Sequence, residues 1–252
     1  MIHKTFTVDG TADIEVSIES GRVEVQDGDD GTVDVKADTK LPGFIVEQRG
    51  NTILVSSDKN TSWLSRGSAS IVIEAPQGSD LRVAVASANV YVGVDVGKAE
   101  IKTASGDISM ESAESLVVKT ASGDLQAESV KRSVRAASAS GDVRIEKVGD
   151  GNLSVSTASG DVHVEECGAS IDLNTASGDV YIARFEGRSA NFKSMSGSVD
   201  LGIPSGSTVD LDVNTLSGKV RLPDSEARGA APVRHISIRA KLVSGDFSIE
   251  RV

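Results

Sequence analysis

Apolar and polar side chains alternate along most of this chain, and the alternation itself recurs in copies of nearly constant length. Nearly every copy carries a Ser-Gly pair. Aligned on that Ser, the position six residues earlier is Leu81, Ala99, Leu116, Val134, Leu153, Ile171, Ala190, Leu211 and Ile238. The position three residues later is Val90, Ile108, Leu125, Val143, Val162, Val180, Val199, Val220 and Phe247. The positions four before and five after are apolar as well. The residues between these columns are mostly polar, among them Lys102, Lys119, Ser156 and Asn174 on one side and Ser109, Gln126, Arg144 and His163 on the other. Period-two alternation on both sides of a glycine turn predicts two short strands per copy. No helix is predicted.

The turn has a fixed spelling. Thr-Ala-Ser-Gly-Asp stands at 103–107, 120–124, 157–161 and 175–179, and Ser-Ala-Ser-Gly-Asp at 138–142. The corners are Ser105-Gly106-Asp107, Ser122-Gly123-Asp124, Ser140-Gly141-Asp142, Ser159-Gly160-Asp161 and Ser177-Gly178-Asp179. Looser copies follow at Ser196, Ser217 and Ser244. From Ser105 onward the spacings are 17, 18, 19, 18, 19, 21 and 27 residues. Repeats this regular cannot bury their apolar faces alone and must stack. The predicted fold is all-β, a β-solenoid of about 18-residue coils in which like residues pile at the inter-strand spacing of about 4.8 Å. An antiparallel sandwich of hairpins is the rival reading.

Residues 1–80 follow the same grammar loosely. Ile14, Val16 and Ile18 precede Ser20-Gly21-Arg22, and Val23 and Val25 follow it. Alternation continues at 33–35, 53–55 and 71–73. We read 1–80 as an irregular β section that caps a repeat domain over 81–252; a small separate domain is the alternative. At the other end, 223–235 reads as a surface loop. The chain then finishes on an ordinary coil over 247–252, which is expected to lie open at the end of the stack. That opening makes the C-terminal coils a candidate surface for self-association.

Composition sharpens this picture. Aromatic residues make up 3% of the 252, so the core is expected to be Val, Ile, Leu and Ala. Formal net charge is −11, which disfavours nucleic-acid binding. No apolar run is long enough for a membrane span. No export signal is read at the start, which predicts a cytoplasmic protein; a trimmed signal would move it to the cell surface. The single cysteine, Cys167, excludes an intramolecular disulfide and is expected to be a packed thiol.

Chemistry is sparse. The Asp row at the corners could suggest a calcium-binding edge, but each corner offers one carboxylate, and Ser198 and Lys219 replace it with no other change. Turn chemistry is the preferred reading, with the Asp and Ser side chains bonding their own turn and Gly supplying positive φ. No metal site and no cofactor are expected. A group present in every repeat is architecture, so a ligand site belongs where the repeat is broken. Arg144, His163 and Tyr181 share one outward column on successive copies, with Glu146 and Glu165 in a neighbouring one. Together they are the candidate ligand face, with Trp63 as a second candidate binding ring. No catalytic residue is assigned.

The Thr-Ala-Ser-Gly-Asp-Val/Ile units, flanked by alternating aliphatics, resemble the bacterial putative-adhesin family of β-strand-repeat domains of unknown function. The resemblance is strong over 80–252 and loose over 1–80. It implies a β-helix-like fold and a surface-interaction role, and it brings no catalytic residues. The leading expectation is a non-enzymatic interaction scaffold with a protein or glycan partner. A structural polymer stacking end to end, as bactofilin-like proteins do, and a carbohydrate-binding or carbohydrate-active β-helix are the alternatives.

Overall fold

The alternating segments become strands whose apolar side chains point one way and polar ones the other, and they pair largely in parallel. A computed structural model describes residues 1–39, 41, 43–57, 67–223 and 234–252. Trp63 and most of the loop expected over 223–235 lie outside the described residues. The chain divides into two compact units, 1–128 and 129–252. Among the described residues both are all-β.

The first unit holds β1 (Ile2–Thr7), β2 (Asp13–Asp27), β3 (Thr32–Thr39), β4 (Ile45–Arg49), β5 (Thr52–Ser56), β6 (Ala69–Ala75), β7 (Asp80–Lys102) and β8 (Ile108–Lys119). β9 (Leu125–Ser138) crosses the boundary between units. β2 is the centre of the N-terminal pairing. It lies parallel to β7 on one side, with Ile14 opposite Leu81 and Val23 opposite Val90. It also lies parallel to β5 and β6, with Ile14 opposite Ile53 and Val23 opposite Ile71. The segment that comes second in the chain therefore stacks outside the first. That outer layer is finished by antiparallel strands: β3 on β6, β1 on β3, and β4 on β5.

The second unit continues with β10 (Val143–Val148), β11 (Asn152–Thr157), β12 (Val162–Cys167), β13 (Ser170–Thr175), β14 (Val180–Phe185), β15 (Ser189–Ser196), β16 (Val199–Ile203), β17 (Ser207–Ser217), β18 (Val220–Arg221), β19 (Arg234–Ser244) and β20 (Phe247–Arg251). The apolar columns read from the sequence are the observed registers. Val134, Leu153, Ile171 and Ala190 pair in series through β9, β11, β13 and β15. Val143, Val162, Val180 and Val199 do so through β10, β12, β14 and β16. These side chains are 0–3% exposed. Phe185, Phe192 and Phe247 are fully buried among them, so large rings do enter this core.

One expectation fails at the C-terminus. The last segment of the chain does not lie open. β19 is held between β15 and β17, and β20 between β16 and β18. Ile238 thus has Ala190 on one side and Leu211 on the other. Among the described residues β17 and β18, earlier in sequence, form the end of the ladder. Ile238 and Leu211 occupy the same column, so the apolar pattern accepts either stacking order.

Candidate functional site

The corner motif comes first, because its side chains are numerous and their jobs decide what is left over. Thr157 Oγ1 accepts a hydrogen bond from the Gly160 amide at 2.9 Å, and Thr175 Oγ1 from Gly178 at 2.8 Å. Thr103 and Thr120 do the same for Gly106 and Gly123, and Ser138 for Gly141. The Thr, not the Asp, therefore closes its own turn. The aspartates reach sideways. Asp142 Oδ1 accepts from the Asp161 amide at 2.9 Å, Asp161 from Asp179 at 2.8 Å, and Asp179 from Ser198 at 2.8 Å. In the first unit Asn89 receives the Asp107 amide and Asp107 that of Asp124.

The glycine's role also differs from the expectation of positive φ. None of Gly106, Gly123, Gly141, Gly160 and Gly178 has positive φ. A Cβ at Gly160 would be driven into the carbonyl oxygen of Gly141, and one at Gly178 into that of Gly160. Glycine is required because backbone packs on backbone. The Asp row is thus a file of hydrogen-bond acceptors, one carboxylate to each amide. Among the described residues no three His, Cys, Asp or Glu side chains converge as metal ligands.

The symmetry-breaking column lies on the outer face of β10, β12, β14 and β16. Arg144, His163, Tyr181 and Asp200 are in register on adjacent strands. The rings of His163 and Tyr181 stack with centroids 4.9 Å apart and planes 28° apart. Stacked, offset rings contribute about 0.5–1.5 kcal/mol beyond their burial. His163 Nε2 lies 2.7 Å from Glu165 Oε1, which anchors the imidazole from the side. Tyr181 is 46% exposed, so the ring is held yet open to solvent. Arg144, Glu146 and Glu165 are exposed around it. The structure thus assembles Arg144, His163, Tyr181 and Glu165 on one face; Glu146 stands on the same strand as Arg144.

Charge flanks this face. Lys147 pairs with Glu166 at 2.9 Å and Arg184 with Glu186 at 2.7 Å. The Arg184 guanidinium, with Arg234 beyond it, holds the Glu186 carboxyl below its usual range. Asp200 goes the other way: partial burial, then Glu250 and Asp179 nearby, push its carboxyl up. Cys167 is buried, and desolvation pushes its thiol up to about 12. A thiol so protonated and enclosed is no nucleophile at neutral pH.

Sequence reasoning passed over Tyr91. It occupies the same repeat position as Tyr181 and Ser109, three residues before Val94. In the first unit it borders a shallow cavity of about 450 Å³ with Arg22, Asn89, Asp107, Asp124 and Gln126. Gly93 leaves room for its ring, since a Cβ there would fall 2.8 Å from Tyr91 Cε1. The neighbouring Glu111 carboxylate, with partial desolvation, pushes the phenol up. The signal was available: Tyr91 and Tyr181 are the only two tyrosines and share one column.

The sequence profile described as Toastrack DUF4097 matches residues 11–250. Among solved structures, the chain is similar to a putative adhesin from Bacteroides fragilis, at 13% identity and a TM-score of 0.47, covering 99% of this chain and 96% of that one. It is similar to a putative adhesin from Parabacteroides merdae at 11% identity and the same TM-score of 0.47, covering 100% of this chain and 95% of that one. No curated protein sequence matches it.

Proposed function

We propose that this chain, which belongs to the Toastrack DUF4097 family, is a non-enzymatic, adhesin-like interaction scaffold. In this reading it is a β-solenoid of about 18-residue coils, residues 1–80 cap the repeats of 81–252, and the outer polar face binds a partner. One observation carries the reading: the His163–Tyr181 stack, ordered by Glu165 but open to solvent, on a face where other side chains form ion pairs. An aromatic surface held rigid costs little entropy when a ligand docks on it. Among the described residues of this face no hydrogen bond joins a nucleophile to a base, which favours binding over turnover.

The reading is tested by probing glycan and peptide arrays with labelled wild-type protein and with the His163→Ala/Tyr181→Ala double variant. The expected result is a set of bound features whose signal falls about tenfold in the variant, equivalent to about 1.4 kcal/mol. Features bound equally well by the variant, or no bound feature on either array, contradict the reading.

A further inference from the structure

One outward corner position changes along the second unit. The residue before the corner Ser is Ala139, Ala158 and Ala176 in three repeats. In the next three it is Met195, Leu216 and Val243. The pairings of β19 with β15 and β17 bring these onto neighbouring strands, in the spatial order Met195, Val243, Leu216. They are 64%, 52% and 85% exposed, respectively. Three methyl groups give way to three large aliphatic side chains, spaced about 4.8 Å apart from strand to strand. Grouped exposed aliphatics of this kind mark contact surfaces.

The ladder ends beside them. Among the described residues β17 pairs with β19 alone and β18 with β20 alone. Columns that are sealed elsewhere open here. Leu153 is 0% exposed, but Leu211 in the same column is half-buried; Val162 is 1% exposed and Val220 42%. Leu222 adds a further 54%-exposed side chain. A strand edge with no further partner among the described residues, beside a half-open apolar interior, forms a template for another strand.

The charge on this repeat says what fits. The chain as a whole carries −11, so two copies repel over most of their surfaces. Residues 207–222 hold Asp210 and Asp212 on β17 and Lys219 and Arg221 at β18, two of each sign. A two-fold axis that lays β17 of one copy along β18 of another sets the acids against the bases and closes the apolar columns on each other. Like end therefore meets like end, which makes a closed pair and not a filament.

We propose that the terminal repeat formed by β17 and β18, with Met195, Val243 and Leu216 beside it, is a two-fold interface between two copies of this chain. The proposal is independent of the ligand face on β10, β12 and β14. Sedimentation velocity on the full chain across the micromolar range tests it. The expected mass rises with concentration toward twice 26.1 kDa and no further. Leu216→Glu and Met195→Glu, both at exposed side chains, are each expected to raise the dissociation constant at least about tenfold. Tyr181→Glu leaves it unchanged, and circular dichroism checks that all three variants fold. A monomeric mass at every concentration, a mass that grows past the dimer, or a dimer indifferent to Leu216→Glu overturns the proposal.

Discussion

Asp161 reaches across one strand spacing to the amide of Asp179, and Asp142 does the same for Asp161. Each corner is thereby tied to the next by a charge-assisted bond, and this sets a graded prediction. Asp161→Ala is expected to cost about 1 kcal/mol, discounted for exposure, and Asp161→Asn about half of that, because an amide oxygen can still accept. Urea midpoints of the two variants check the order; midpoints equal to that of the wild type would show that the bond does not matter. Gly160→Ala is the harsher change. Its methyl meets the Gly141 carbonyl, and a cost of about 1–3 kcal/mol is expected from overpacking. Asp200 supplies a pH test. Its carboxyl is raised by burial and by Glu250 and Asp179, so the folded chain holds that proton more tightly than the unfolded one. Ionisation therefore subtracts stability as pH rises from the ordinary carboxylate range through the folded value. Asp200→Asn is expected to raise the urea midpoint at pH 7 and to leave it unchanged below about pH 3. At this scale the sequence revealed which residues stack but not whom the corner side chains bond. Thr, Ser and Asp all suit a turn, and only the strand spacing decides that the carboxylate spans two repeats.

Strands carry the next level of information. Period-two alternation located nearly every one, and the registers Val143–Val162–Val180 and Leu153–Ile171–Ala190 follow from the repeat length alone. Stacking order at the ends was not legible. Ile14 fits between Ile53 and Leu81, and Ile238 between Ala190 and Leu211, because every repeat presents the same columns. A local pattern cannot rank neighbours that are equivalent by that pattern. The elements also make a kinetic prediction. Cys167 closes β12 with its sulfur fully buried and its thiol pushed up to about 12. Labelling by a thiol reagent at neutral pH is expected to be undetectable in the native protein and to appear with the unfolding transition of the second unit. Rapid labelling under native conditions would show that β12 and its neighbours open far more readily than their packing implies.

For the whole molecule, architecture and chemistry separate cleanly. What recurs in each repeat is consumed by the architecture: the Thr closes its own turn, and the Gly and Asp of the corners hold repeat to repeat. What does not recur forms the two proposed contact surfaces: the His163–Tyr181 stack on one face, and the aliphatic edge at β17. Both were partly visible beforehand. The outward column of Arg144, His163 and Tyr181 follows from alternation, whereas its hydrogen bond to Glu165 needed side-chain placement. The exposed Leu216 stood one residue before a corner Ser in plain sight, but its meaning depended on β17, not β20, ending the ladder. Pulsed electron resonance between nitroxide pairs in the second unit tests the central claim, repeats stacked in file with the final segment inserted. Labels at the exposed Arg135 and Arg239 lie four strand spacings apart, or about 19 Å, and labels at Arg135 and Asp212 five, or about 24 Å. The account predicts that Arg239, though farther along the chain, gives the shorter distance by one strand spacing; a shorter distance to Asp212, or no regular step between the two, would contradict it.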